Sequence, residues 1–572
     1  MKHHLLSGVK PMWIEKFSPT SYRSIFKWGN PRAFHHPDDR LLSFIKEAFG
    51  VTENDLENLR LTGTDEVKLT KKPKLSDTDT KKIIAVVGKE NVDVSGYERA
   101  RHAVGCTYLD AMRLRMGEIA HPPDLVVYPR NEADVVKLVD YCAKKKIPVT
   151  PFAGRSSVTF GVEPINGGIS LDLTRHMNKV LEIDETSFTV KVQPGMFGPA
   201  FEKVLNEYRS DRIGSGFTCG HFPQSFEYSC VGGWVMTRGA GGQSTGYGKI
   251  EHMVICMRVV TPKGVIETKK FPADAIGPDI DQILMGSEGA YGVMTECTMK
   301  IWPYRPENRK MFSWFFKDWD EGLAAMREIM QGEFGFPSML RLSDAEETDI
   351  AMKLQGMEGS AADKLLSLLG YKPGRRVLLL GSTEGDKDHG KLIVRKARKI
   401  ARGHSGFPLG AIAVKGYWKR RYNDPYMRED LMDIGIISDT LETACSWDNI
   451  KHVWADVRKV IKKRPRTVLM VHASHAYPTG ANLYFIFLSP VKRGKEIEDY
   501  TQFQHAIIDA IVKAGGSLSH HHGIGKLFAP WYEAHVGPVA FGMLKAIKEY
   551  LDPGYILNPG GTLGLDAKKS KK

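Results

Sequence analysis

Long apolar runs are missing. No stretch of about 18 or more consecutive apolar residues occurs in the 572-residue chain, which excludes a transmembrane helix. The opening Met1-Lys2-His3-His4 leads into no apolar core, so no secretory signal is expected. Cysteine is scarce: the seven residues, at 106, 142, 219, 230, 256, 297 and 445, are scattered and show no CxxC spacing. That excludes a disulfide framework or zinc ribbon and fits buried thiols in a reducing compartment. Two nucleotide motifs are missing as well. The nearest approach to GxGxxG, Gly214-Ser215-Gly216 with Gly220, has its last glycine one place late and no clear strand before it. Gly248-Lys249 fails as a phosphate loop because Gln243 and Ile250 stand where glycine and Ser or Thr are required.

What is present is a globular composition, 42% hydrophobic and 26% charged. The length suggests about three or four structural units. Lys plus Arg at 80 against Asp plus Glu at 67 leaves a net +13. That excess favours phosphorylated small molecules, nucleic acid or an anionic membrane surface.

Residues 1–120 read as a helical accessory region. Asp38 to Phe49 spreads Leu41, Leu42, Phe44, Ile45 and Phe49 around a helix, and Thr62 to Lys82, polar and Lys-rich, reads as a surface linker or loop. From Asp124 the texture changes. Leu125 to Pro129 reads as a buried strand, and Asn131 caps a helix with Val135, Leu138, Val139 and Cys142 on one face. Ile147 to Phe152 completes a β-α-β unit. Further strands are expected at Ile169–Leu173, Phe188–Val192, Met253–Val260, Val265–Thr268 and Val293–Ile301. A helix is expected to turn Phe201, Val204, Leu205 and Tyr208 inward. Pro303 to Arg309 suggests a boundary, and about 310 to 500 reads as a second α/β domain before a helical C-terminal segment.

Three glycine-rich blocks lie beside these strands: Gly154 to Gly161, Gly232 to Gly248 and Gly286 to Gly292. Small residues let backbone N–H groups approach an anion, so three such loops together point to one large phosphorylated cofactor. Pro151-Phe152-Ala153-Gly154-Arg155-Ser156-Ser157, Val231-Gly232-Gly233-Trp234-Val235 and Gly286-Ser287-Glu288-Gly289 resemble the FAD-binding domain of the vanillyl-alcohol-oxidase superfamily. The resemblance implies an α+β fold. It comprises a two-subdomain FAD-binding domain (121–303), an α/β substrate-binding cap (304–500), and helical segments at 1–120 and 501–572. It implies FAD contacts from Pro151 to Ser157, and from Ser225, Tyr228, Ser229, Gly232, Gly233, Trp234, Thr237, Gly239, Gly286, Glu288, Gly289, Gly292 and Val293. The first loop has Ser156 and Ser157 where covalently flavinylated members carry His, which points to non-covalent FAD.

The C-terminal half discriminates further. Ser517 to Lys526, with His520-His521-His522, resembles the triple-His signature of the alkyldihydroxyacetonephosphate synthase family, as do Tyr426-Met427-Arg428, Glu442 to Trp447 and Leu483 to Phe487. The alternative is a flavin-dependent 2-hydroxyacid dehydrogenase or oxidase of the D-lactate and glycolate type. Its metal site needs H-x-G-D-G-N-x-H and E-H-G, but here Tyr477, Tyr484 and His521 stand at three ligand positions, so that site cannot form. No metal is expected, although the triple His could meet His472 and His475; His520 is the member expected to be structural.

The family reaction exchanges the fatty acyl group of acyl-dihydroxyacetone phosphate for a fatty alcohol, through a flavin N5 adduct and without net redox. The resemblance implies Tyr484, His521 and His522 as catalytic residues, and Arg428, Arg341 and His520 as substrate-binding ones. A guanidinium suits a phosphate because its donors bind as a fork, and a phenol or imidazole can carry a proton. His472 and His475 depart from the Arg and Gln expected of animal members, and Arg155-Ser156 from a G-G-G-T loop. A homodimer is expected, cytoplasmic and without nucleic acid. Peripheral membrane contact is expected through Lys462–Arg466 or the tail, whose S-K-K ending is not a peroxisomal address.

Overall fold

The computed structural model describes residues 13–566; the opening Met1-Lys2-His3-His4 and the basic tail Lys568–Lys572 lie outside the described residues. Asn131 starts the helix Glu132–Lys145 by accepting a hydrogen bond from the Asp134 amide, and Val135, Leu138, Val139 and Cys142 turn inward. Strands Leu125–Val127 and Val149–Phe152 flank this helix in sequence. Both pair in parallel with Ile169–Asp172, which lies between them. The short strand Val92–Asp93 joins antiparallel to Leu125–Val127, so this sheet begins inside the stretch read as accessory. A second, antiparallel sheet runs in the order Val180–Asp184, Thr189–Val192, Val293–Lys300, Val254–Thr261, Gly264–Glu267. Its helix Gly198–Glu207 buries Phe201 and Leu205, but Val204 is 40% exposed, because the helix packs through a narrower stripe than expected.

The cap is a seven-stranded antiparallel sheet. Its order is Phe407–Pro408, Lys310–Phe316, Val377–Thr383, Met339–Ser343, Val468–Tyr477, Gly480–Pro490, Ile436–Ser446. Alternation along these strands sends Leu441, Val471, Ala473, Leu483, Phe485 and Phe487 into the core. The opposite face is left for the site. Helix Glu496–Lys513 packs on the core side and runs across residue 500, so the expected division there falls within a helix.

The accessory region packs on the cap. Tyr22, Ile25, Phe26, Tyr108 and Met112 share the cap core, while Leu42, Ile45 and Phe49 meet Leu431, Ile434 and Ile436. Two Arg23 nitrogens donate to the buried Asp433 carboxylate at 2.9 Å each, fastening this region to the helix Arg428–Asp433. The stretch read as a linker is coil only as far as Leu75. Ser76 then caps a helix over Asp77–Val87, whose Ile83 and Val87 are buried, so local polarity concealed a packed stripe. The C-terminus returns to the first sheet, where the Val149 amide bonds Ile556 and the Asn558 amide bonds Val149. All seven cysteines are free thiols.

Candidate active site

The strand Val149–Phe152 delivers the chain into the first glycine loop at the floor of a cavity of about 410 Å³. A Cβ on Gly154 would stand 2.7 Å from the Tyr228 carbonyl oxygen, so only glycine fits this close approach. Arg155 follows at φ +62°, a left-handed conformation that turns the loop. Among the described residues the amides of Gly154, Arg155, Ser156 and Ser157 donate to no protein acceptor. Four successive free N–H groups form an anion nest. On the facing wall a Cβ on Gly233 would meet nothing within 4 Å, leaving open space. Arg155 Nη1, Gln243 Nε2 and both His221 ring nitrogens are buried without partners around the same cavity. Such orphaned groups are costly unless a ligand satisfies them.

The ceiling is the free face of the cap sheet. Ser438 and Thr440, His472 and Ser474, and Tyr484 and Ile486 come from three adjacent strands, two residues apart on each, and all line the cavity. A bulge between Ser474 and Tyr477 breaks the register and puts His475 at φ +47°, adding its ring to the lining. Ser244 Oγ holds His475 Nδ1 at 2.7 Å.

Tyr484 is stacked between two imidazoles, His472 at 5.1 Å and His521 at 5.9 Å between ring centroids, with His522 edge-on at 5.8 Å. Its hydroxyl donates to Thr440 Oγ1 at 3.1 Å. Burial pushes the phenol up to about 12, so it is protonated at neutral pH. Burial also pulls His521 well below its ordinary value, with the His522 charge adding to it, and lowers His522 against the pull of Glu442 and Asp439. Both imidazoles are neutral at neutral pH and able to accept a proton.

Glu442 organises the triple His. Its buried carboxylate accepts from the backbone amides of His520, His521 and His522, from Ser519 Oγ and from Asn482 Nδ2, at 2.7 to 3.1 Å. Burial opposes its ionisation, but His522, His520 and the Ser519 and His521 donors outweigh this and hold it below the usual carboxylate range. Glu442, His520 and His521 have ligand atoms within 4.8 Å of one another, the spacing of a metal site. Those carboxylate oxygens are, however, already engaged by five donors.

Arg428 enters from the helix Arg428–Asp433. Nη1 donates to the Cys106 carbonyl at 2.6 Å, while Nε and Nη2 are buried without hydrogen-bond partners at the cavity wall. Arg341 lies 5.2 Å over the Tyr417 ring and pairs with Glu347, whose other oxygen is 3.3 Å from His472 Nδ1. Burial would raise Glu347, but Arg341 and His472 outweigh it and hold the carboxyl at about 2.

Of the expected residues, Tyr484, His521, His522, Arg428, Arg341, Pro151–Ser157, Ser225, Gly232, Gly233, Trp234, Thr237, Gly239, Glu288, Gly289 and Gly292 line one cavity. Tyr228, Ser229, Gly286, Val293 and His520 do not. Tyr228 and Ser229 stand behind Gly154, and Ser229 Oγ accepts from Trp234 Nε1 at 2.7 Å. Gly286 is packed on the Arg238 side chain, and Val293 belongs to the core of the parallel sheet. His520 turns away, its Nε2 3.0 Å from the Tyr477 hydroxyl. The sequence reading missed Thr440, Glu442, Asp439, His221 and the aromatic wall of Tyr417, Trp418 and Tyr422. Glu442 opens the family-like stretch Glu442 to Trp447 but was given no role there, and no local pattern marks the others, because each acts through partners distant in sequence.

Residues 123–269 match a family model described as FAD binding domain, and 305–562 one described as FAD linked oxidases, C-terminal domain. The alkyldihydroxyacetonephosphate synthase of Dictyostelium discoideum is 31% identical over 477 residues, 81% of this chain and 76% of that protein. The synthase of Caenorhabditis elegans is 30% identical over 585 residues, 95% of this chain and 96% of its own. The chain belongs to the alkyldihydroxyacetonephosphate synthase family. A solved alkyldihydroxyacetonephosphate synthase structure superposes with a TM-score of 0.78 at 27% identity, covering 94% of this chain and 99% of that one. Within this family the cofactor is FAD, and the amide nest, the open space at Gly233 and the unpartnered Arg155 and Gln243 nitrogens fit a diphosphate-linked cofactor.

Proposed function

We propose that this chain replaces the fatty acyl group of acyl-dihydroxyacetone phosphate with a fatty alcohol, forming the ether bond of an ether lipid without net redox change. The observation that carries the reading is Arg428, whose Nε and Nη2 are buried without hydrogen-bond partners in the cavity that also holds Tyr484, His521 and His522. Nη2 is 3.7 Å from the buried Glu429 carboxylate, too long for a hydrogen bond, so this guanidinium edge keeps donors that suit a phosphate dianion in a desolvated site. FAD, when bound, supplies an electrophilic ring that stabilises the substrate carbon while its acyl oxygen leaves. Arg428 clamps the phosphate and fixes which substrate carbon faces the proton-transfer groups. Tyr484, with Thr440 behind it, holds a proton at its phenolic oxygen, and neutral His521 and His522 accept and return protons beside it. Arg341, held by Glu347, supports the wall on which His472 and Tyr484 stack. Trp28, Tyr417, Trp418 and Tyr422 offer an apolar lining for the alkyl chain.

The test is incubation of purified protein with acyl-dihydroxyacetone phosphate and labelled hexadecanol, and separately with D-lactate or glycolate plus a dye acceptor. Labelled ether without dye reduction is expected; dye reduction without ether overturns the proposal. The same proposal makes the chain a cytoplasmic homodimer that visits membranes for both long-chain substrates. No described helix is long and apolar enough to cross a membrane. Light scattering at twice the chain mass checks the dimer.

A further inference from the structure

The chain's net charge is concentrated in one place. From His389 to Asn423 there are ten Lys and Arg and no Asp or Glu, against +13 for the whole chain. The segment comprises most of the helix Lys387–Gly403, the edge strand Phe407–Pro408 and the helix Ile412–Arg420. The two helices wall a groove of about 630 Å³ on the outside of the cap. Six cations line it: Arg309, Lys310, Lys391, Arg395, Arg398 and Lys415. Arg309 is paired with Glu384, and Lys391 with Asp388. Lys310, Arg395, Arg398 and Lys415 have no carboxylate within salt-bridge distance among the described residues. The basic cluster expected to touch a membrane is different: Lys462 is held by Glu346 and the Thr467 carbonyl, Arg464 by Asp499, and Arg466 by the Phe49 carbonyl. Three of its four cations are bonded within the fold, and exposed Lys463 alone is not, among the described residues.

We infer that the groove between the helices Lys387–Gly403 and Ile412–Arg420 is a docking surface for a bilayer carrying anionic phospholipid. This rests on the lipid-substrate reading given above. Charge complementarity is the first argument, since four unneutralised cations around one concavity match lipid phosphates. The second is Ile412, next to the groove and 83% exposed, an apolar side chain placed to enter the interface beside the basic ring. The third is continuity. The helix that presents Ile412 and Lys415 outward carries Tyr417 and Trp418 into the substrate cavity. A membrane seated on the groove is therefore one helix away from the site that consumes its lipids. The groove lining contains no aromatic residue on which bases could stack, which favours a lipid surface over nucleic acid.

The experiment uses the FAD-loaded enzyme, its R395A/R398A/K415A variant and an I412S variant. Both proteins bind no part of the substrate through these positions, so ether synthesis from detergent-dispersed substrates should match wild type. Co-flotation with phosphatidylcholine vesicles containing phosphatidylglycerol should be strong at low salt and weak at high salt. The triple variant should lose on the order of a hundredfold in vesicle partition, about fivefold per cation. I412S should lose less, and pure phosphatidylcholine should bind little. Equal flotation of wild type and triple variant overturns the inference, as does tighter binding to duplex DNA than to vesicles. Thermal stabilisation by inorganic phosphate that needs these three residues, without flotation, also overturns it and marks a small-anion site. If ether synthesis is missing in every presentation, it is the proposed function that fails; if synthesis is present without flotation, only the docking surface fails.

Discussion

The hydroxyl of Tyr484 donates to Thr440 Oγ1 at 3.1 Å, from one cap strand to its antiparallel neighbour. With a phenol pushed up to about 12 by burial, this bond fixes where the proton sits before substrate arrives. Tyr484→Phe should lower kcat for ether formation by about 10²-fold or more while leaving bound FAD unchanged. Thr440→Val keeps the phenol but frees its proton, and should cost less. Turnover and flavin absorbance on the same samples check both, and a wild-type rate in Tyr484→Phe would remove Tyr484 from the reaction.

Arg428→Lys retains the charge but not the fork. It should raise KM for the phosphorylated substrate roughly 10- to 100-fold, the loss of one charge-assisted hydrogen bond. Steady-state kinetics with varied acyl-dihydroxyacetone phosphate and saturating alcohol reads this directly. An unchanged KM would mean the phosphate binds elsewhere.

Glu442→Gln puts an amide NH₂ where five donors converge. The expected destabilisation is roughly 1–3 kcal/mol from unsatisfied donors, measured by urea unfolding. The acid limb of the kcat profile should also shift, because His522 loses a neighbouring negative charge that favours its protonated form. An unchanged profile would leave Glu442 a purely structural residue.

Burial holds His221 and His475 at about 3, while the unfolded chain titrates near 6.5. Below pH 6.5 the unfolded state therefore binds more protons than the folded state, so stability falls as pH drops from 6.5 toward 3. The slope is up to about 1.4 kcal/mol per pH unit for each group. Urea midpoints at about pH 7 and about pH 5 test the sign, and His221→Leu should remove one group's share of the slope.

Gly154→Val forces a side chain into the Tyr228 carbonyl, 2.7 Å from its Cβ. The loop must shift, and the purified variant should lose most of its flavin while its far-ultraviolet circular dichroism stays near wild type.

Much of the fold is readable from local chemistry. The cap at Asn131, the stripe Val135, Leu138, Val139 and Cys142, and the alternation through Phe485 and Phe487 each specify an element within a few residues. Ser76 and the stripe of Ile83 and Val87 were hidden by the charge around them, and Val204 by a hydrophobic pattern broader than the buried face. The first flavin loop and the triple His are legible because their backbone amides come in tight sequence, the first to face a cofactor and the second to converge on Glu442. The bond of Thr440 to Tyr484, the donors gathered on Glu442 and the meeting of His472 with the local Arg341–Glu347 pair are not, since the sheet register brings those strands together.

Composition and the glycine blocks by themselves gave a basic chain with a large phosphorylated cofactor, and resemblance of local motifs added flavin and the residue types of its chemistry. Which histidines face the cavity, which guanidinium edge makes no hydrogen bond and which cationic cluster lacks acidic partners were decided only by packing. Lys462, Arg464 and Arg466 look as basic in sequence as Arg395, Arg398 and Lys415. Folding brings Glu346 and Asp499 to Lys462 and Arg464 and the Phe49 carbonyl to Arg466, and leaves the second group open, because charge neutralisation depends on distance in space and not on distance along the chain.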